Sequence, residues 1–176
     1  LKYFAGRDQM DIDGLGTAII EQLVSRDMVR DFADLYHLNI MQVANLDRMG
    51  TKSAENLLAG LEQSMTRPLD RFIASLGIMH VGVRAAENLA EYFHTLEAVR
   101  QAGIDELQKV NDIGLVVAQS IYDFFHNPVT ARLVDDLLEV GVCPPKYQPR
   151  AKNTSDLPLS GKTVVVTGSI EGYDRK

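Results

Sequence analysis

A mainly α-helical fold built on a repeated unit is predicted, and three observations predict it. Apolar residues recur at helical spacing through residues 1–142. Glycines at positions 16, 50, 82 and 114 are spaced by 34, 32 and 32 residues. Only one short β-branched run, residues 163–167, reads as a strand. The 176-residue chain is 45% hydrophobic and carries no apolar run long enough to cross a bilayer. Its single cysteine, Cys143, excludes an internal disulfide framework and a multi-cysteine zinc site within these residues, and fits a reducing compartment. The net charge of −6 is unevenly spread: residues 1–142 hold 12 Lys+Arg against 21 Asp+Glu, and residues 143–176 hold 6 against 3. A polyanion partner of the first part must therefore meet a restricted surface, with the acidic side chains turned elsewhere.

From the N-terminus, the opening "LKYFAGRDQ" lacks an initiator Met and reads as a cut edge. "DIDGLG" at 11–16 follows. A calcium loop there needs a further carboxylate about twelve positions in, and that loop would have to run through the helical "TAIIEQLV". A dinucleotide loop needs a preceding strand and a third glycine, and neither is present. Alignment on the four spaced glycines explains the segment better. The residue before each glycine is Leu15, Met49, Val81 or Ile113; four before stand Ile12, Leu46, Ile78 and Val110; four after, Ile20, Ala54, Ala86 and Ala118; seven after, Leu23, Leu57, Leu89 and Ile121. All four columns are apolar throughout. Repeats two and four agree further upstream, Phe32, Leu35, Ile40 and Val43 aligning with Leu96, Val99, Ile104 and Leu107, so a two-motif block present twice is expected, with pseudo-two-fold symmetry.

Each unit reads as a short helix, a tight hairpin and a second helix starting at the glycine, with hairpins near 12–17, 46–51, 78–83 and 110–115. Glycine there supplies either a positive φ or room for something to approach the backbone. The first amides of the second helix lack helical partners and lie at the positive end of its dipole, a ready cradle for phosphate. Ordinary αα-hairpins with glycine caps are the plainer alternative for any single copy. Gly14, Gly16, Gly50, Gly82 and Gly114 are the backbone candidates. Thr17 and Thr51 follow a key glycine, to cap the helix or to donate to a phosphate. Arg48 and Lys52 flank Gly50, His80 and Arg84 flank Gly82, and Lys109 precedes the fourth hairpin. Asp11 and Asp13 in the first unit and Asp112 in the fourth make those two less hospitable to an anion. Elsewhere, Asp31 and Thr95 are placed to cap helices, Pro68 and Gly77 bracket one, and Asn127, Pro128 and Gly141 bracket another. Four of six prolines fall in residues 143–158, which read as a linker, and residues 163–167 read as a buried strand.

The repeat unit resembles the helix-hairpin-helix motif, whose known members hold the DNA backbone through these amides without reading sequence. In combination and order, "MDIDGLG", "LDRMGTKSAENLLAGLEQS", "FIASLGIMHVGVRAAENLAEYF", "DIGLVVAQSIYDFF" and "LSGKTVVVTGSI" resemble the C-terminal part of bacterial NAD-dependent DNA ligases. That resemblance implies a division into residues 1–10 as the tail of a segment following a zinc finger, 11–142 as a helix-hairpin-helix domain, 143–158 as a linker and 159–176 as the truncated start of an α/β BRCT domain. Thr167 and Gly168 resemble the phosphate-binding turn of some BRCT domains. The family's activity implies NAD, a divalent metal such as magnesium and a structural zinc, all held upstream of this segment. The family's K-x-D-G nucleophile motif is absent from these residues, so no catalytic residue and no bound cofactor or metal is expected here. The implied partners are nicked double-stranded DNA and the adenylation, OB-fold and zinc-finger domains of the same protein, in a cytoplasmic, nucleoid-associated setting without a membrane. Other repair proteins with paired motifs, and a helical protein-interaction module that binds no DNA, are the rival readings.

Overall fold

The computed structural model describes residues 1–149. The expected strand at 163–167, the Thr167–Gly168 turn and the BRCT segment lie outside the described residues. Among the described residues there are nine α-helices and one 3-10 helix, and no strand. In order they are α1 (Thr17–Ser25), the 3-10 helix (Ala33–His37), α2 (Ile40–Ala44), α3 (Thr51–Ser64), α4 (Leu69–Ser75), α5 (Val83–Phe93), α6 (Leu96–Gln101), α7 (Ile104–Leu107), α8 (Leu115–His126) and α9 (Pro128–Glu139).

Local chemistry sets many of the boundaries. Asn39 caps α2 in a reciprocal box with Gln42, Thr95 accepts from the Ala98 amide at the start of α6, and Asn127 accepts from Val129 ahead of Pro128 in α9. Gly77 and Gly141, at φ +69° and +99°, end α4 and α9 in the left-handed region that favours glycine. Asp31 accepts from the Asp34 amide while Asp34 accepts from the amides of Arg30 and Asp31. The segment that follows is a 3-10 helix over Ala33–His37 whose N-cap is Phe32 and not the expected Asp31.

The first unit departs from the expected helix–hairpin–helix order. Residues 1–10 form successive turns and not a leading helix. The Gly6 carbonyl accepts from both Gln9 and Asp11, three and five residues on, so the regular i+4 ladder is broken. Phe4, fully buried, anchors this segment by stacking on Phe32 at 4.4 Å.

The repeat columns form the core. Ile12, Leu46, Ile78 and Val110 are all at most 5% exposed, and Leu23, Leu57, Leu89 and Ile121 are at 0%. Ala54, Ala86 and Ala118 are completely buried, and their small side chains let neighbouring helices approach. Burial of each Leu or Ile contributes about 1.5–3 kcal/mol. Ile40 departs from its column and is 38% exposed. The two halves meet where α9 packs on the 3-10 helix. Arg67 reaches back to the Met10 and Asp11 carbonyls and pairs with the Asp11 carboxylate, which Arg71 also faces. The first residues of the proline-rich segment lie against the helices: the Cys143 amide donates to Met65 O, and the Tyr147 amide to His94 O.

Candidate nucleic-acid interface

Four turns share one backbone design. In residues 12–15, 46–49, 78–81 and 110–113, the fourth residue's amide donates to the first residue's carbonyl at 3.0–3.3 Å. The third residue of every turn has positive φ: Gly14 (80°), Arg48 (63°), His80 (65°) and Asp112 (61°). A turn of this kind needs a left-handed residue at that position. Only the first unit fills it with glycine. The fourth residue, Leu15, Met49, Val81 or Ile113, packs into the core or against it.

Gly16, Gly50, Gly82 and Gly114 then serve as N-caps of α1, α3, α5 and α8. Their φ values run from −74° to −118° with ψ near 180°, extended backbone that any residue adopts. A Cβ built on any of the four meets no atom within 4 Å. Neither backbone strain nor internal crowding therefore requires glycine there. Of the two roles expected for these residues, the positive φ falls two positions earlier, and the open approach to the backbone is what the glycine provides.

None of these four helices has a side-chain cap, whereas α2, α6 and α9 do. Each glycine carbonyl accepts from the amide four residues on, the first bond of the helical ladder. In α1 the Ile19 amide also donates to the Gly16 carbonyl, at 3.1 Å; the other amides ahead of that bond lack helical partners and have the helix dipole behind them. Thr17 and Thr51 occupy the first helical position, exposed, and neither caps its helix. Of their two expected roles, only an outward-facing hydroxyl donor is left.

The hairpins come in two pairs. The Gln22 side chain, on α1, donates to the Asp47 carbonyl at 3.2 Å and accepts from the Asp47 amide at 2.7 Å, and Arg26 binds the Asn45 carbonyl and the Asp47 carboxylate. In the other half Asn88, on α5, donates to the Asn111 carbonyl at 2.9 Å. Gln22 and Asn88 both lie six residues beyond their glycines, and Asp47 and Asn111 both lie three before theirs. The second hairpin of each pair thus docks about 9 Å along the helix that follows the first. Sequence reading missed these clasps, although a polar residue at the sixth position of α1 and α5 was the available signal. It also missed Gly60, whose position a Cβ would share with the Asp13 carbonyl at 2.8 Å.

The charged candidates divide by partner. Lys52 faces Glu55 at 3.6 Å and Arg84 faces Glu87 at 4.0 Å, both loosely and both with side chains more than three-quarters exposed. Arg48 and Lys109 are exposed and have no acidic partner among the described residues. Among the described residues, the fourth hairpin therefore keeps a cation without an acidic partner beside Asp112. Asp11 is less of a liability than its position suggests, since Arg67 and Arg71 compensate it. Asp13 remains exposed at the first turn and accepts from the Gly14 amide. Among the described residues no group of three or more His, Cys, Asp or Glu is placed to hold a metal ion, and no helix is long and apolar enough to cross a membrane.

Residues 71–134 match the family model of the helix-hairpin-helix motif. The matched stretch contains the turns that lead into Gly82 and Gly114, and a helix-hairpin-helix domain is therefore present. The turns leading into Gly16 and Gly50 lie outside it and share its hydrogen bonds, left-handed residue and glycine N-cap.

Proposed function

We propose that this chain grips duplex DNA without reading its sequence, through four helix-hairpin-helix motifs arranged as two pairs. The observation that carries the reading is the set of four extended, uncapped N-cap glycines with open space where a side chain would stand. Together they present backbone amides that a phosphate oxygen can approach without obstruction. Such contacts position a duplex and carry no base information. Two hairpins clasped along one helix would offer a pair of amide cradles, one for each of the two backbones that border a minor groove. Lys52, Arg84, Arg48 and Lys109 add point charges around the amides. The resemblance to NAD-dependent DNA ligases makes this segment the DNA-holding part of a nick-sealing enzyme. Its adenylation chemistry, NAD, divalent metal and zinc would then belong to other segments.

Binding to a nicked duplex, followed by fluorescence anisotropy across a salt series, tests the reading. With ~4–6 phosphates neutralised, log affinity falls against log salt with a slope of roughly −4 to −5. A Gly50→Val, Gly82→Val variant should keep its helical circular dichroism, because both sites are extended and open. It should also lose most of its DNA affinity. Affinity that ignores salt, or that survives in the folded double variant, would favour the protein-interaction module. The ligase reading is tested separately in the longer protein, where the same substitutions should impair nick sealing.

A further inference from the structure

We propose that the second hairpin pair discriminates deoxyribose from ribose through Leu115 and Val116, the first two residues of α8. This rests on the DNA-binding reading above. Leu115 and Val116 are 59% and 66% exposed, although Leu and Val normally seek the core. They directly follow Gly114, an open N-cap without a side-chain cap, and Lys109, without an acidic partner among the described residues, immediately precedes the same hairpin. Met79, at the tip of the pair's other hairpin, is 70% exposed. The equivalent residues of the first pair are polar: Thr51 and Lys52 stand where Leu115 and Val116 do, and Asp13 where Met79 does. The contrast lies in side chains that the fold does not use, so packing does not account for it.

The chemistry of one partner fits both features. A sugar–phosphate chain alternates an anion with a C–H-rich ring. A phosphate held by the amides at Gly114 would place its neighbouring sugar against the side chains of the first two helical residues. Deoxyribose offers apolar surface there. Ribose in an A-form duplex displays 2′-hydroxyls along the minor groove. Leucine and valine would strip water from those hydroxyls and return no hydrogen bond. An apolar protein partner would leave the anion cradle and the free Lys109 without a counterpart.

The test compares nicked DNA, a DNA–RNA hybrid and an RNA duplex of one sequence. Each is titrated against the whole chain and against a Leu115→Thr, Val116→Thr variant. The wild type should bind RNA about tenfold more weakly than DNA, the scale set by a hydroxyl left without a partner. The variant should bind DNA somewhat more weakly and RNA more tightly than the wild type, shrinking that preference to about threefold or less. The helical form of the duplex is the same for both proteins, so a preference arising from A-form shape alone would persist in the variant and overturn the proposal. Equal binding of DNA and RNA by the wild type would overturn it and leave the DNA-binding reading intact. Failure to bind any duplex would overturn both. Sedimentation showing a dimer that the double substitution dissolves would assign the patch to a second copy of the chain, against the proposal.

Discussion

The first and second hairpin pairs have the same backbone and different surfaces. Their turns, left-handed residues, N-cap glycines and apolar columns correspond position by position. Outside those columns little is shared. Gln22 makes two bonds to Asp47 where Asn88 makes one to Asn111 within 3.3 Å, and Gly60 on α3 is replaced by the partly buried Phe124 on α8. Lysine at one helix start faces valine at the other. On the proposed reading, the difference teaches that a function common to both pairs would reside in main-chain groups. Amides oriented by a buried scaffold keep their direction whatever side chains surround them, so the two pairs can differ in charge and polarity on one backbone design.

The comparison is broken most severely through the core. Leu23→Ala and Leu89→Ala remove equivalent, fully buried side chains. Each should cost about 2–5 kcal/mol, read from urea midpoints. Because α9 packs on the 3-10 helix and Arg67 ties α4 to residues 10 and 11, both variants should still unfold in one transition. Two separated transitions would show that the halves are independent units. Next in size is Gly60→Ala, which places a methyl 2.8 Å from the Asp13 carbonyl. It should destabilise by about 1–3 kcal/mol and shift amide resonances of the first hairpin while leaving the third unchanged.

The clasps sharpen the comparison further. Gln22→Leu removes both bonds to Asp47 and should cost about 1–2 kcal/mol, against about 0.5–1.5 kcal/mol for Asn88→Leu. Equal losses would mean that the second Gln22 bond contributes nothing. Among the cations, Arg48→Ala and Lys109→Ala should each lower the magnitude of the salt slope of DNA binding by about 1 and affect all sequences alike.

The smallest effect lies at Tyr36 and Arg100, which occupy equivalent positions in the two halves. Tyr36 hydrogen bonds Ser64 at 2.9 Å, whereas Arg100 pairs with Asp135 at 2.8 Å. Burial pushes the Tyr36 hydroxyl above its ordinary value near ~10. The folded state then keeps this proton at a pH where the unfolded chain loses it. The resulting stability is full below about pH 10 and is lost as pH rises through the folded value. Tyr36→Phe should remove that alkaline loss at a cost of about 1 kcal/mol at neutral pH. An unchanged pH profile would place the alkaline sensitivity elsewhere.

Much of this was legible in the sequence because the repeat is apolar. Columns of Ile, Leu, Val and Ala at fixed offsets from four glycines indicated which faces are buried, and the glycine spacing located the starts of α1, α3, α5 and α8. The caps Asn127 and Thr95 and the stops Gly77 and Gly141 are local signals, decided within a few residues of themselves. The leading turns of residues 1–10 were not legible, since nothing in their composition announces that the Gly6 carbonyl takes two amides in place of a ladder.

The sequence by itself determined the repeat, the buried columns and the placement of glycine at every hairpin, because periodicity and backbone chemistry act locally. Only the tertiary structure decided that neither a positive φ nor internal crowding demands glycine there. It put the left-handed residue two positions earlier, left the glycines extended with empty space beside them, and paired the hairpins through Gln22 and Asn88. Those facts depend on what other parts of the chain do or do not occupy, and only the folded arrangement of helices decides that.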